Sequence, residues 1–84
     1  MENNNRTLAR DVTMHHQVST VFLGLDHNFH RLINRAAQPI LFETMVFDRL
    51  TAKATAIQER YRTWDEAIAG HKRITEEVRR REDG

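Results

Sequence analysis

The sequence contains no cysteine, one proline and three glycines, and these shortages narrow what it can be. Without cysteine there is no disulfide framework, no thiolate metal site and no cysteine nucleophile. The zero count suits a reducing compartment. No apolar run approaches the roughly 18 residues that a membrane-spanning helix needs. The opening Met1-Glu2-Asn3-Asn4-Asn5-Arg6 has no apolar stretch, so no secretory signal is expected there. Residues 1–6 read as a polar, disordered N-terminus ahead of one domain over residues 7–84. Neither sign of charge dominates. Thirteen basic residues against twelve acidic ones leave a formal charge of +1, which argues against both a strongly basic nucleic-acid binder and an acidic mimic of DNA. No glycine-rich phosphate loop and no serine–histidine–acid order is recognisable.

What remains is a globular composition, 39% hydrophobic and 30% charged, in a chain of 84 residues. A chain this short buries only about 60–65% of its unfolded surface. Its single core is therefore thin, and folds of this size often gain stability from self-association or from a partner.

The β-branched and aromatic run Val18-Ser19-Thr20-Val21-Phe22-Leu23 predicts a strand within 17–28, and Pro39-Ile40-Leu41-Phe42-Glu43-Thr44-Met45-Val46-Phe47 predicts another. Proline is tolerated at the start of such a strand. Thr7 to Val12 fits an edge strand, with 13–16 as the connection to the next. His30 to Gln38 reads as a long hairpin loop. Segment 48–62 is ambiguous: Leu50, Ala54, Ile57 and Tyr61 have helical spacing, whereas Ile57, Glu59 and Tyr61 also alternate with Gln58, Arg60 and Arg62 as a half-exposed strand does. The final element is a helix over 64–81. Thr63-Trp64-Asp65-Glu66 forms a capping box, and Trp64, Ala67, Ile68, His71, Ile74 and Val78 share one face. Acidic Asp65 and Glu66 stand at its start and Arg79, Arg80 and Arg81 near its end, as the helix dipole favours.

The strings Val18-Ser19-Thr20-Val21-Phe22-Leu23-Gly24-Leu25-Asp26-His27-Asn28-Phe29 and Pro39 to Phe47, with Arg60-Tyr61, Thr63-Trp64-Asp65-Glu66-Ala67 and Ala69-Gly70-His71, resemble a family of small uncharacterised phage and prophage proteins. The likeness runs from Val18 to the C-terminus. The chain departs from the family pattern at His30–Gln38, which is longer than the usual connection and has no glycine. The resemblance implies that the residues around Tyr61 form a fourth strand leading into the helix. The expected fold is thus α+β, an antiparallel β-meander of three to four strands packed against one C-terminal helix.

Candidate chemistry is sparse. Asp26, His27, Glu43 and His71 would make a metal or acid–base cluster if the fold brought them together. Asp26 and His27 are consecutive, however, so in a strand they point to opposite faces. His71 on the helix's apolar face reads first as a hydrogen-bonded core residue. His15-His16 and the His27–His30 pair lack the ligand set of a zinc site, and no metal or cofactor is expected. Arg79, Arg80 and Arg81 are possible phosphate contacts, but Glu76 and Glu77 precede Arg80 and Arg81 by four residues and can pair with them. Gly24 and Gly70 interrupt bulky elements, as close helix–sheet packing requires.

The most informative pattern is two-faced. Val18 and Phe22 alternate with Val21, Leu23 and Leu25, and Ile40, Phe42 and Val46 alternate with Leu41, Met45 and Phe47. One helix covers one face of such a sheet, and the other is left for association. The expected function is therefore that of a small non-enzymatic, phage-encoded interaction protein. It would occlude a host protein complex in the bacterial cytoplasm, as an anti-CRISPR defence inhibitor does, and would itself form a homo-dimer or higher oligomer. Nucleic acid and membrane are not expected partners. The alternatives are a small metal-dependent or acid–base enzyme, or ligand binder, using Asp26 or His27 with Glu43 and His71, and a nucleic-acid module using the C-terminal arginines.

Overall fold

The computed structural model describes residues 6–23 and 41–84. Strand β1 (Thr7–Val12), β2 (His16–Phe22), β3 (Phe42–Asp48) and β4 (Ala54–Tyr61) form one antiparallel sheet in the order β1-β2-β3-β4, followed by helix α1 (Trp64–Asp83). The fold is the expected α+β meander with a C-terminal helix. The expectations for residues 1–5 and 24–40, among them Gly24, Asp26, His27 and the His30–Gln38 loop, lie outside the described residues.

The register explains why these residues make these strands. Val18 lies opposite Val46 and Thr20 opposite Thr44, and these four side chains are fully buried. The alternate positions Ser19, Val21, Glu43 and Met45 point the other way. Segment 48–62 resolves into a hairpin turn and a strand. Leu50, which the helical reading would have buried, is 93% exposed. Asp48 builds the turn: its Oδ1 accepts from the amides of Leu50 (2.8 Å) and Thr51 (3.0 Å), its own amide donates to the Lys53 carbonyl, and Ala52 takes a left-handed φ of 62°. These bonds, from Thr51 first and then Leu50, hold the Asp48 carboxyl below its ordinary range.

Both outer strands are irregular. The pairing of β1 shifts at Leu8, and that of β4 shifts opposite Val46, where the Thr55 hydroxyl donates to the Val46 carbonyl (2.9 Å). Bulges of this kind discourage further strands from adding to an edge.

Helix α1 starts as the capping box predicts: the Thr63 hydroxyl accepts from the Glu66 amide at 3.1 Å. The Glu66 carboxylate reaches back one residue further than expected, to the amide of Arg62 (3.1 Å). The helix buries Ala67, Gly70, His71, Ile74, Thr75 and Val78. Trp64 and Ile68, expected on the buried face, instead lie on its flank and stay open to solvent. Gly70 is required by contact, since a Cβ there would overlap the Tyr61 ring. Among the described residues, no helix is long and apolar enough to cross a membrane.

The core has two apolar clusters. One joins Val18, Val46, Ile74 and Val78 with Ile57, and the other joins Phe42, Tyr61 and Ala67 with Leu8 and Leu41. Leu41, just before β3, packs against the second cluster although the strand alternation separates it from Phe42.

Candidate functional site

A chain of polar side chains links all four strands to the helix. The Tyr61 hydroxyl (β4) donates to Thr44 Oγ1 (β3) at 3.0 Å, and the Thr44 and Thr20 (β2) hydroxyls are hydrogen-bonded to each other. Thr20 Oγ1 meets His71 Nδ1 at 2.7 Å, and His71 Nε2 meets Asp11 Oδ2 (β1) at 2.8 Å. One donor order satisfies every atom: Tyr61 to Thr44, Thr44 to Thr20, Thr20 to Nδ1, and Nε2–H to the Asp11 carboxylate. Burial pushes the Tyr61 phenol up to about 12, so it remains a donor at neutral pH.

Asp11–His71–Thr20 has the acid–imidazole–hydroxyl order of a nucleophile relay. Its hydroxyl end, however, is wholly buried and bonded to Thr44, so a substrate has no approach to it. The chain reaches solvent at Asp11, and its work is to fix the helix against the sheet.

Of the expected cluster of Asp26, His27, Glu43 and His71, the two described members Glu43 and His71 are not brought together. His71 lies between helix and sheet, whereas Glu43, paired with Val21 and Arg60, lies on the opposite sheet face. There the Glu43 carboxylate accepts from Gln58 and from Arg60 Nε (2.9 Å), and little of it is exposed. Asp26 and His27 lie outside the described residues. No group of three or more His, Asp or Glu suited to a metal occurs among the described residues.

The C-terminal arginines are drawn toward one carboxylate. Glu77 accepts from Arg81 (3.1 Å) as the spacing predicts and also from Arg80 (3.0 Å), which was expected to pair with Glu76. The Arg81 hydrogen bond, with the Arg80 charge next, lowers the Glu77 pKa. His16 is likewise engaged, its Nδ1 lying 2.6 Å from Glu82 Oε2.

The sheet face away from α1 carries three transverse rows in register. They are Val12–Gln17–Phe47–Ala54, Arg10–Ser19–Met45–Gln58 and Thr7–Val21–Glu43–Arg60. Val12 is exposed, Val21, Met45 and Phe47 are half-buried, and among the described residues no element packs over them.

Sequence reasoning found His71 but missed its partners Asp11 and Thr20, the Thr44 and Tyr61 hydroxyls beyond them, and Glu82. A usable signal existed for two of them: Thr20 and Thr44 occupy the inward positions next to Val18 and Val46, where an apolar residue is the default. Comparison with protein families, curated proteins and solved structures finds no match for this chain.

Proposed function

We propose that this chain is a small non-enzymatic, phage-encoded interaction protein that docks on a host protein complex in the bacterial cytoplasm and blocks its working surface. Inhibition of a defence complex, in the manner of anti-CRISPR proteins, is the specific form of that activity. The observation that supports it is the sheet face turned away from α1. Val12, Val21, Met45 and Phe47 lie there among Gln17, Ser19 and the Glu43–Arg60 pair. An apolar centre interleaved with oriented polar groups is the anatomy of a recognition surface. Arg60 is exposed and already held by the buried Glu43 carboxylate, so it reaches a partner preorganised, which favours specificity over raw affinity. The resemblance to phage proteins supplies the biological setting, and self-association of the chain belongs to the same proposal.

Affinity capture from bacterial lysate, with nuclease present, tests the reading. The wild-type chain should retain a stoichiometric host protein, and the double variant Met45→Lys, Phe47→Asp should lose it while keeping a cooperative thermal transition. Undiminished capture by the folded variant would contradict the assignment of this face.

A further inference from the structure

The polar chain beneath α1 has a further link at its β4 end. Glu59 precedes Tyr61 by two residues, so both side chains point to the same face of the strand. Burial is the main cause of the raised Tyr61 pKa; a hydrogen bond with Thr44 opposes it, and one with the Glu59 carboxylate adds to it. The phenol therefore has two oxygen partners. Glu59 is itself paired with Arg73 of α1, and its side chain is 38% exposed. At the other end the Asp11 side chain is 44% exposed, whereas that of His71, between the two, is only 6% exposed. The chain thus runs from one edge strand of the sheet to the other, between two carboxylates that solvent reaches.

The hydrogens do not match the links. The links are Glu59–Tyr61, Tyr61–Thr44, Thr44–Thr20, Thr20–His71 and His71–Asp11, five in all. Three hydroxyls and a neutral imidazole supply four hydrogens, and ionised carboxylates supply none. One link is therefore empty while His71 is neutral, and in the donor order given above it is Glu59–Tyr61. We propose that this chain is a binding site for one proton, which fills the empty link and reverses every bond from Tyr61 to His71. A proton from solvent adds to the Tyr61 oxygen beside Glu59. Tyr61 passes its own hydrogen to Thr44, Thr44 passes one to Thr20, and Thr20 passes one to Nδ1. The hydroxyls end neutral, the imidazole carries the charge, and Nε2–H keeps its bond to Asp11. Each buried oxygen still donates once and accepts once, so protonation leaves no group unpaired. Asp11 faces the charged ring from β1, and from β2 and β3 the ring meets the hydroxyl of Thr20 and, beyond it, that of Thr44. The other titratable groups on the strand faces turned to α1 are engaged elsewhere, His16 with Glu82 and Asp48 with the turn amides of Leu50 and Thr51. On α1 itself, Arg73 holds Glu59 and Lys72 is exposed. Acid is thus registered at both edges of the sheet through one site.

Side-chain NMR of the isotope-labelled chain from about pH 8 to about pH 4, the range in which imidazoles and carboxylates titrate, tests the proposal. His71 Nδ1 should change from acceptor to donor, and the Glu59 carboxyl and Tyr61 ring signals should step at the same midpoint. Thr44→Val cuts the chain but leaves every charge in place, and Tyr61→Phe cuts it one link further on; amide spectra check that each variant is folded. In both, the Glu59 step at the His71 midpoint should vanish. His71 should then need about tenfold more protons to titrate, the equivalent of one buried hydrogen bond. A through-space effect of the imidazolium charge would survive both cuts. A Glu59 signal that ignores His71 in the wild type, or a coupling that persists in the folded variants, would overturn the proposal. So would a His71 ring that stays neutral throughout the range.

Discussion

Each nitrogen of the His71 ring is held by a different strand, Nδ1 by Thr20 of β2 and Nε2 by Asp11 of β1. Replacing His71 with alanine opens a cavity and strips two polar groups of their partner, so a loss of about 2–4 kcal/mol is expected in denaturant unfolding. Leucine should recover volume but not bonding, and glutamine one polar contact, so both should fall between alanine and wild type. An alanine variant with an unchanged unfolding midpoint would contradict the role given to this histidine. Thr75 offers the opposite case. Its buried hydroxyl has no partner among the described residues, so Thr75→Val should be neutral or stabilising by up to about 1 kcal/mol. The core position of His71 was legible because it falls between Ala67 and Ile74 at helical spacing. The rest of the network was not, because residues 11, 20, 44, 61 and 71 meet only once the three registers of the four-stranded sheet are set.

At the scale of the element, α1 is fastened at both ends, and only the first fastening was legible. The capping box is a local pattern, readable within four residues. The second joins Glu82 to the β1–β2 turn nearly seventy residues earlier: its carboxylate accepts from the Thr13 hydroxyl (2.7 Å) and the amides of Met14 and His15 (3.0 Å each), with His16 Nδ1 at 2.6 Å. Burial alone would raise this carboxyl, but the bonds from His16, Thr13, His15 and Met14 outweigh it and bring the pKa from its ordinary 4.5 to about 2. A carboxyl depressed on folding stabilises the native state above its unfolded pKa. That contribution is therefore intact above pH 4.5 and is lost as the pH falls toward 2. Urea midpoints across this window should fall more steeply for wild type than for Glu82→Gln; parallel curves would contradict the linkage. Segment 48–62 shows the other limit of local reading. Its helical and strand periodicities were both present, and the choice went to the strand because β3 offers a hydrogen-bonding edge that Ile57, Glu59 and Tyr61 join from the helix side.

On the scale of the whole molecule, a polar layer of Thr20, Thr44 and His71 divides two small apolar clusters beneath one helix, and the other side of the sheet is the proposed binding surface. Outside 48–62, the meander and the single helix were legible because strand alternation and helical spacing occupy separate stretches of the chain. The failure of Glu43 and His71 to form one site was not, since it depends on which face each strand turns toward α1. The central claim is that Val21, Met45 and Phe47 are contact residues, and hydroxyl-radical footprinting of the captured host complex tests it most directly. Oxidation of Met45 and Phe47 should fall sharply on binding while Leu50, at the exposed β3–β4 turn, stays as reactive as in the free chain. Equal labelling of Met45 and Phe47 in the free and bound states would contradict the account.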